Sequence, residues 1–204
     1  MLKHLRLFLP VFVLLAACGT DTTQPSALVQ TGGPVLELFD PALEVDVLQR
    51  SAPLLHNSAA VGVIGRDGGT LSLPEAGFSI EFPPNAVRLP TLISVTALPG
   101  TSVGYVFAPH GLTFRKPPVI TQELRGTAVF GQPALRATLE GAYLPDLAGL
   151  AGLTARVRET RPTMVDVTGW KMQFTVDHFS TYVASTSRRS GYISASGNRI
   201  QTGH

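Results

Sequence analysis

The side chains that could carry out chemistry are few and widely spaced in this sequence of 204 residues. Cys18 is the single cysteine, so an intramolecular disulfide is excluded and the thiol is left to react as a sulfur nucleophile. In the tripeptide His178-Phe179-Ser180, an imidazole and a hydroxyl stand two residues apart, with a backbone carbonyl between them. A histidine that takes the proton of a serine hydroxyl turns that serine into a nucleophile. These two places are therefore the candidates for covalent chemistry.

The other residue types offer no recognisable catalytic or metal-binding pattern. The sequence lacks a G-x-S-x-G, H-E-x-x-H, P-loop or G-x-G-x-x-G motif. The other histidines beyond the first 20 residues, at positions 56, 110 and 204, have neither metal-ligand spacing nor a cysteine partner. We interpret His110, in the turn Pro109-His110-Gly111, as a structural residue. The sequence thus predicts no cofactor, no metal and no conventional enzymatic activity.

The first 17 residues have the three-part composition of a secretion signal. Lys3 and Arg6 give a positive head, and residues 7–17 form an uncharged apolar run, too short for a bilayer, which takes about 20 residues. The sequence Leu-Ala-Ala-Cys that ends at Cys18 resembles the lipobox of bacterial lipoproteins. That resemblance implies a diacylglycerol on the Cys18 sulfur, cleavage before Cys18 and fatty acids such as palmitate on the mature chain. The alternative is an ordinary signal peptide followed by a chance cysteine.

A lipidated Cys18 predicts a place in the bacterial cell envelope, with membrane lipid as one partner and an unidentified envelope protein as another. Gly19 stands where some bacteria use aspartate to retain lipoproteins in the inner membrane. We therefore expect the periplasmic face of the outer membrane or the cell surface. Without Lys3 and Arg6, the mature 187 residues carry 14 basic and 14 acidic side chains, a formal net charge of zero. That balance predicts no nucleic-acid partner, because such proteins carry a basic patch or stripe.

The low charge and frequent chain-breakers of the sequence favour short strands. Charged residues make up 15% of the chain, and 20 glycines and 16 prolines are spread along it. Phe78, Ile80 and Phe82 alternate with polar residues, as one buried face of a strand does. Turn-forming clusters separate such runs at intervals of about 8–12 residues, which is typical of a β-sandwich or barrel. We predict an all-β fold, an antiparallel β-sandwich preceded by a signal peptide and a flexible tether.

Composition divides the chain into four segments. They are residues 1–17, the lipoprotein signal peptide; residues 18–60, the lipidated cysteine and tether; residues 61–185, the β-sandwich; and residues 186–204, a disordered, slightly basic tail. Residues 35–50 fit either a strand or a short helix, and residues 144–153 fit a loop or one helical turn. A hairpin is predicted with its strands at residues 165–167 and 171–176.

Three stretches resemble the ZU-five domain, which occurs in ankyrins, netrin receptors and bacterial envelope proteins. They are GGTLSLPEAGFS with FPPNA at residues 68–86, PHGLTFRKP at residues 109–117, and HFSTYV at residues 178–183, which is similar to the closing strand of the family. The resemblance implies a β-sandwich that mediates protein contacts. Asn85 departs from the glycine that is usual in the family, but asparagine tolerates a left-handed backbone, so we expect the turn to survive.

The resemblance also implies a chemistry for His178-Phe179-Ser180. Some ZU-five proteins and other self-cleaving domains cut themselves between the Phe and the Ser of a His-Phe-Ser tripeptide. In that reaction Ser180 is the nucleophile, His178 the base and the Phe179 carbonyl the electrophile, and a strained turn presses the hydroxyl against the carbonyl carbon. The amide rearranges to an ester, which water hydrolyses. The alternative is strand geometry with a bulge, in which the tripeptide has no chemical role.

Three functional hypotheses follow from these observations. The leading one is a lipid-anchored envelope protein whose β-sandwich is an interaction or structural module without conventional enzymatic activity. The second is the same domain acting as a single-turnover autoprotease, cut between Phe179 and Ser180. The third is carbohydrate binding, for which the chain offers one tryptophan, Trp170, and no obvious carboxylate pair for sugar cleavage.

Overall fold

The computed structural model describes residues 43–166, 168, 170–189, 192–193 and 199–200, and strands dominate this part of the chain. In chain order the strands are β1 (Leu43–Val47), β2 (Gln49–Leu54), β3 (Ser58–Ile64), β4 (Gly69–Leu73), β5 (Phe78–Phe82), β6 (Thr91–Ala97), β7 (Gly100–Ser102), β8 (Gly104–Ala108), β9 (Val119–Glu123), β10 (Glu140–Leu144), β11 (Leu150–Ala151), β12 (Thr154–Val157), β13 (Glu159–Pro162), β14 (Met164–Asp166), β15 (Lys171–Thr175), β16 (Thr181–Arg189), β17 (Tyr192–Ile193) and β18 (Arg199–Ile200). One short α-helix, α1 (Pro133–Arg136), and two 3-10 turns, Pro74–Ala76 and Leu147–Gly149, complete the described elements. The predicted all-β fold is confirmed. None of the described helices is long and apolar enough to cross a membrane.

The larger sheet is antiparallel and has β16 at its centre. Its strand order is β11-β12-β1-β16-β8-β6-β3, and β10 pairs with β16 and carries β13 on its far side. Thr181 lies opposite both Val106 of β8 and Leu144 of β10, so these two strands occupy opposite edges of β16. The second half of β16 pairs with β1. β16 therefore pairs with three strands of this sheet, β8, β10 and β1.

The smaller sheet has the order β14-β15-β9-β5-β4, and all its pairings are antiparallel. In β5, Phe78, Ile80 and Phe82 are buried while Glu81 is exposed, which confirms the face predicted from their alternation. The predicted hairpin is also confirmed, since β14 pairs with β15.

The inner faces of the two sheets meet in one core that is rich in aromatic rings. Phe78 of the smaller sheet lies 4.1 Å from Tyr105 of the larger one, measured between ring centroids. Ile80 and Ile93, one from each sheet, are both fully buried in this core. Each sheet can bury its apolar face only against the other, and this requirement produces the sandwich.

Asn85 occupies the turn in which the sequence departs from the expected glycine. Its φ of 65° lies in the left-handed region, as the tolerance of asparagine for that region allows. Its N–H donates to the Arg66 carbonyl at 2.7 Å, which ties this turn to the turn between β3 and β4.

The boundaries of the predicted tether and tail need correction. Residues 43–60, which we assigned to the tether, contain β1, β2 and the start of β3, because Val45 and Val47 are buried against β12 and β16. Residues 186–189 of the predicted tail belong to β16, where Arg188 pairs with Glu140 at 2.5 Å. Cys18 and the signal peptide lie outside the described residues.

Candidate functional site

The tripeptide His178-Phe179-Ser180 lies in the link between the two sheets. β15 of the smaller sheet ends at Thr175, and β16 of the larger sheet begins at Thr181. The chain thus crosses from one layer to the other through the aromatic core. Asp177, just before the tripeptide, is held at the surface by Arg161 at 2.7 Å.

Phe179 is held rigidly by both its ring and its backbone. The ring is fully buried, stacks on Phe107 with centroids 4.9 Å apart, and meets the edge of Phe114 at 4.8 Å. The Phe179 N–H donates to the Leu112 carbonyl at 2.8 Å, and the Phe179 carbonyl accepts from the Gly111 N–H at 2.8 Å. The carbonyl that self-cleavage would attack is therefore already polarised by one backbone donor.

Ser180 is fully buried, and its hydroxyl contacts His110 rather than His178. The Oγ atom lies 2.9 Å from the Leu144 carbonyl oxygen and 2.9 Å from His110 Nε2, and the same Nε2 lies 3.3 Å from the Pro145 carbonyl oxygen. Carbonyl oxygens only accept, and the hydroxyl has a single proton. The network is satisfied when Ser180 donates to Leu144 while His110 Nε2 carries a proton and donates to Ser180 and Pro145. His110 in this tautomer cannot take the serine proton.

His178, the residue predicted as the base, points elsewhere. Its half-buried ring meets Tyr143 edge-on at 4.7 Å, and its backbone carbonyl accepts from the Tyr182 hydroxyl at 3.0 Å. Burial raises the pKa of Tyr182 above its usual value, so this hydroxyl stays a donor across the physiological range. The described hydrogen bonds of Ser180 do not include His178.

The backbone of this link shows none of the left-handed strain that marks some reactive turns. Among the described residues, the non-glycine residues with positive φ are Asn85 and Trp170, and neither belongs to the tripeptide. The site thus brings together a buried serine hydroxyl, a polarised carbonyl and the ring of His110, whose Nε2 acts as a donor in the tautomer that satisfies the network. A proton transfer would require His110 to change tautomer or His178 to reorient.

Two further features of the described part of the chain concern ligand binding, namely the surroundings of Trp170 and the grouping of metal-binding side chains. The ring of Trp170 meets Phe130 at 4.6 Å, and the Arg136 guanidinium lies over the same ring at 4.3 Å. The Arg136 guanidinium thus occupies one face of this partly buried ring. In the residues that the structure describes, no group of three or more His, Cys, Asp or Glu side chains converges as metal ligands would.

No protein-family model matches the chain, and no curated protein matches it in sequence. The resemblance to ZU-five domains therefore rests on the motif residues alone. The contact between His110 and Ser180 was not predicted, because 70 residues separate the two and sequence spacing carries no signal for such a contact.

Proposed function

We propose that this chain is a lipid-anchored protein of the bacterial cell envelope whose β-sandwich serves as an interaction or structural module. The observation that carries the proposal is the sequence Leu-Ala-Ala-Cys after a positively charged, apolar leader. Two or three acyl chains on Cys18 give stable anchoring, since each buried methylene contributes about 0.8 kcal/mol and one chain alone binds reversibly.

The anchor is tested by replacing the acylated atom. Cys18→Ser removes the sulfur, so we expect no incorporation of labelled palmitate, retention of the signal peptide and loss of normal fractionation with envelope membranes. Gly19→Ser, one position away, is the matched control and keeps the label. A wild-type protein without label that fractionates and migrates like Cys18→Ser would refute the anchor.

A second candidate function, self-cleavage between Phe179 and Ser180, is favoured by the Gly111 donor on the Phe179 carbonyl and by His110 beside the Ser180 hydroxyl. The Ser180 oxygen would attack the Phe179 carbonyl carbon, and the bond from that carbon to the Ser180 nitrogen would break. The hydroxyl proton would pass to the departing amine, and water would hydrolyse the resulting ester. We rank this function second, because the tautomer that satisfies the network makes His110 Nε2 a donor and because no residue of the tripeptide has a positive φ.

The cleavage test is the mass of freshly denatured protein, before and after long incubation. Cleavage predicts two fragments that end at Phe179 and begin at Ser180. Ser180→Ala abolishes them, and Ser180→Cys retains some, because a thiol can make the same shift. His110→Ala and His178→Ala, compared at equal fold content, identify the base. One unchanged mass throughout would exclude self-cleavage.

A further inference from the structure

Among the described strands, β3 lies at one open end of the larger sheet. Its seven residues, Ser58–Ile64, pair in continuous register with β6, and no bulge interrupts the ladder. β3 ends the strand order, and no described backbone hydrogen bond reaches its other edge. An edge of this kind presents a row of unused N–H and C=O groups to any strand that can lie beside it.

The outer face of β3 is apolar as well as exposed. Val61 and Val63 are 62% and 65% exposed, and Leu92, which lies opposite Val63 in β6, is 63% exposed. β3 contains no charged residue and no proline. The open ladder and the apolar side chains therefore belong to one continuous surface, which we call the β3 edge.

The other described edges carry the features by which proteins avoid strand pairing. β13 contains Glu159, Arg161 and Pro162, and β2 contains Arg50 and Pro53. β7, β11, β14, β17 and β18 are three residues long or shorter, and β4 turns hydroxyl groups outward. Charge, proline and short length all discourage edge-to-edge contact. Among the described strands, β3 is the long edge that has none of these protections.

We propose that the β3 edge pairs with the β3 edge of a second copy, antiparallel, about a two-fold axis at Val61. In this register Val61 faces Val61, and Ala59 faces Val63. An uncharged strand meets itself without like-charge repulsion, and its exposed odd-numbered residues map onto exposed apolar residues of the copy. The proposal rests on the proposed interaction role and names the partner, but it does not require the lipid anchor.

A seven-residue ladder is a small interface compared with the roughly 800 Å² that each partner buries in a standard complex. We therefore expect weak association in dilute solution and a higher dimer fraction where copies are concentrated. A covalent trap at the symmetry axis is the suitable measurement, and the chain allows it, because Cys18 is the single native cysteine.

The experiment uses the full chain with Cys18→Ser, so that one thiol is present and lipidation plays no part. Val61→Cys should give a disulfide dimer on mild oxidation, on the order of tenfold faster than Thr70→Cys, an exposed control on β4. Ala59→Cys alone should behave like Thr70→Cys, because its own copy lies about 13 Å away along the partner strand. Ala59→Cys mixed with Val63→Cys should cross-link.

Two results would overturn the proposal. One is equal oxidation rates for Val61→Cys and Thr70→Cys, and the other is equal rates for residues 59, 61 and 63. Adding Val63→Lys to Val61→Cys should return the rate to that of the control at an unchanged melting temperature. The rates of disulfide formation do not depend on the lipid anchor, because every variant in this experiment carries Cys18→Ser. Fatty-acid labelling of the wild-type protein tests the anchor separately.

Discussion

At the residue scale, Tyr105 is a buried phenol whose ionisation opposes folding. It is 2% exposed, and its hydroxyl donates to the side-chain oxygen of Gln122. Burial raises the pKa of Tyr105 to about 12, although the nearby Arg50 lowers it in part. The unfolded chain ionises this group near pH 10, so the stabilising contribution is complete below pH 10 and is lost as the pH rises towards 12, at about 1.4 kcal/mol per pH unit.

We predict that Tyr105→Phe weakens the alkaline loss of stability. The substitution lowers the free energy of unfolding by about 1–3 kcal/mol at pH 8, because the side-chain oxygen of Gln122 loses the Tyr105 donor. Its free energy of unfolding should then fall less than that of wild type between pH 10 and 12, as measured by urea denaturation. The variant keeps a residual slope, since burial also raises the pKa of Tyr182. Parallel losses in both proteins would show that Tyr105 does not ionise on unfolding.

At the scale of the element, β5 shows how a strand divides its residues between core and solvent. Ile80 is fully buried and lies between Leu71 of β4 and Ile120 of β9, whereas Ser79 on the opposite face is partly exposed. We predict that Ile80→Ala costs about 2–5 kcal/mol of unfolding free energy by leaving a cavity. Ile80→Leu keeps the volume and should cost less than about 1.5 kcal/mol. Ser79→Ala should be nearly silent in the same denaturation assay, and equal costs for Ser79→Ala and Ile80→Ala would contradict the observed register.

Some elements could be predicted from local sequence and others could not, for a physical reason. β5, the hairpin of β14 and β15, and the left-handed turn at Asn85 depend on alternation and turn chemistry, which neighbouring residues encode. The sequence of β10 does not indicate a strand, because it has small residues where an apolar strand usually has large ones. A larger residue does not fit at position 141, since a Cβ atom at Gly141 would lie 2.5 Å from the Phe174 ring. The sequence pattern of β1 fits either a helix or a strand. It is a strand because it pairs with β12 and β16, which lie more than 100 residues later in the chain. The tripeptide can be found in the sequence, but the contact between Ser180 and His110 depends on the tertiary fold.

At the scale of the whole molecule, self-cleavage would leave the domain assembled. The fragment that begins at Ser180 would still contain all of β16, which is paired along both edges with β8, β1 and β10. We therefore predict that any cleaved protein elutes as one particle under native conditions and separates only in denaturant. Two separate native particles would indicate ordinary proteolysis outside β16.

The central position of β16 also sets the order in which the protein can be made. β8, β1 and β10 are synthesised earlier, but each uses β16 as a shared neighbour. The larger sheet therefore cannot close until the ribosome has passed Arg189, whatever hairpins form before. Domains usually begin to fold while their chains emerge. Here completion of the larger sheet waits for β16, the last long strand among those described. If the chain is exported as we propose, this delay would keep it unfolded enough to pass through a narrow translocation channel.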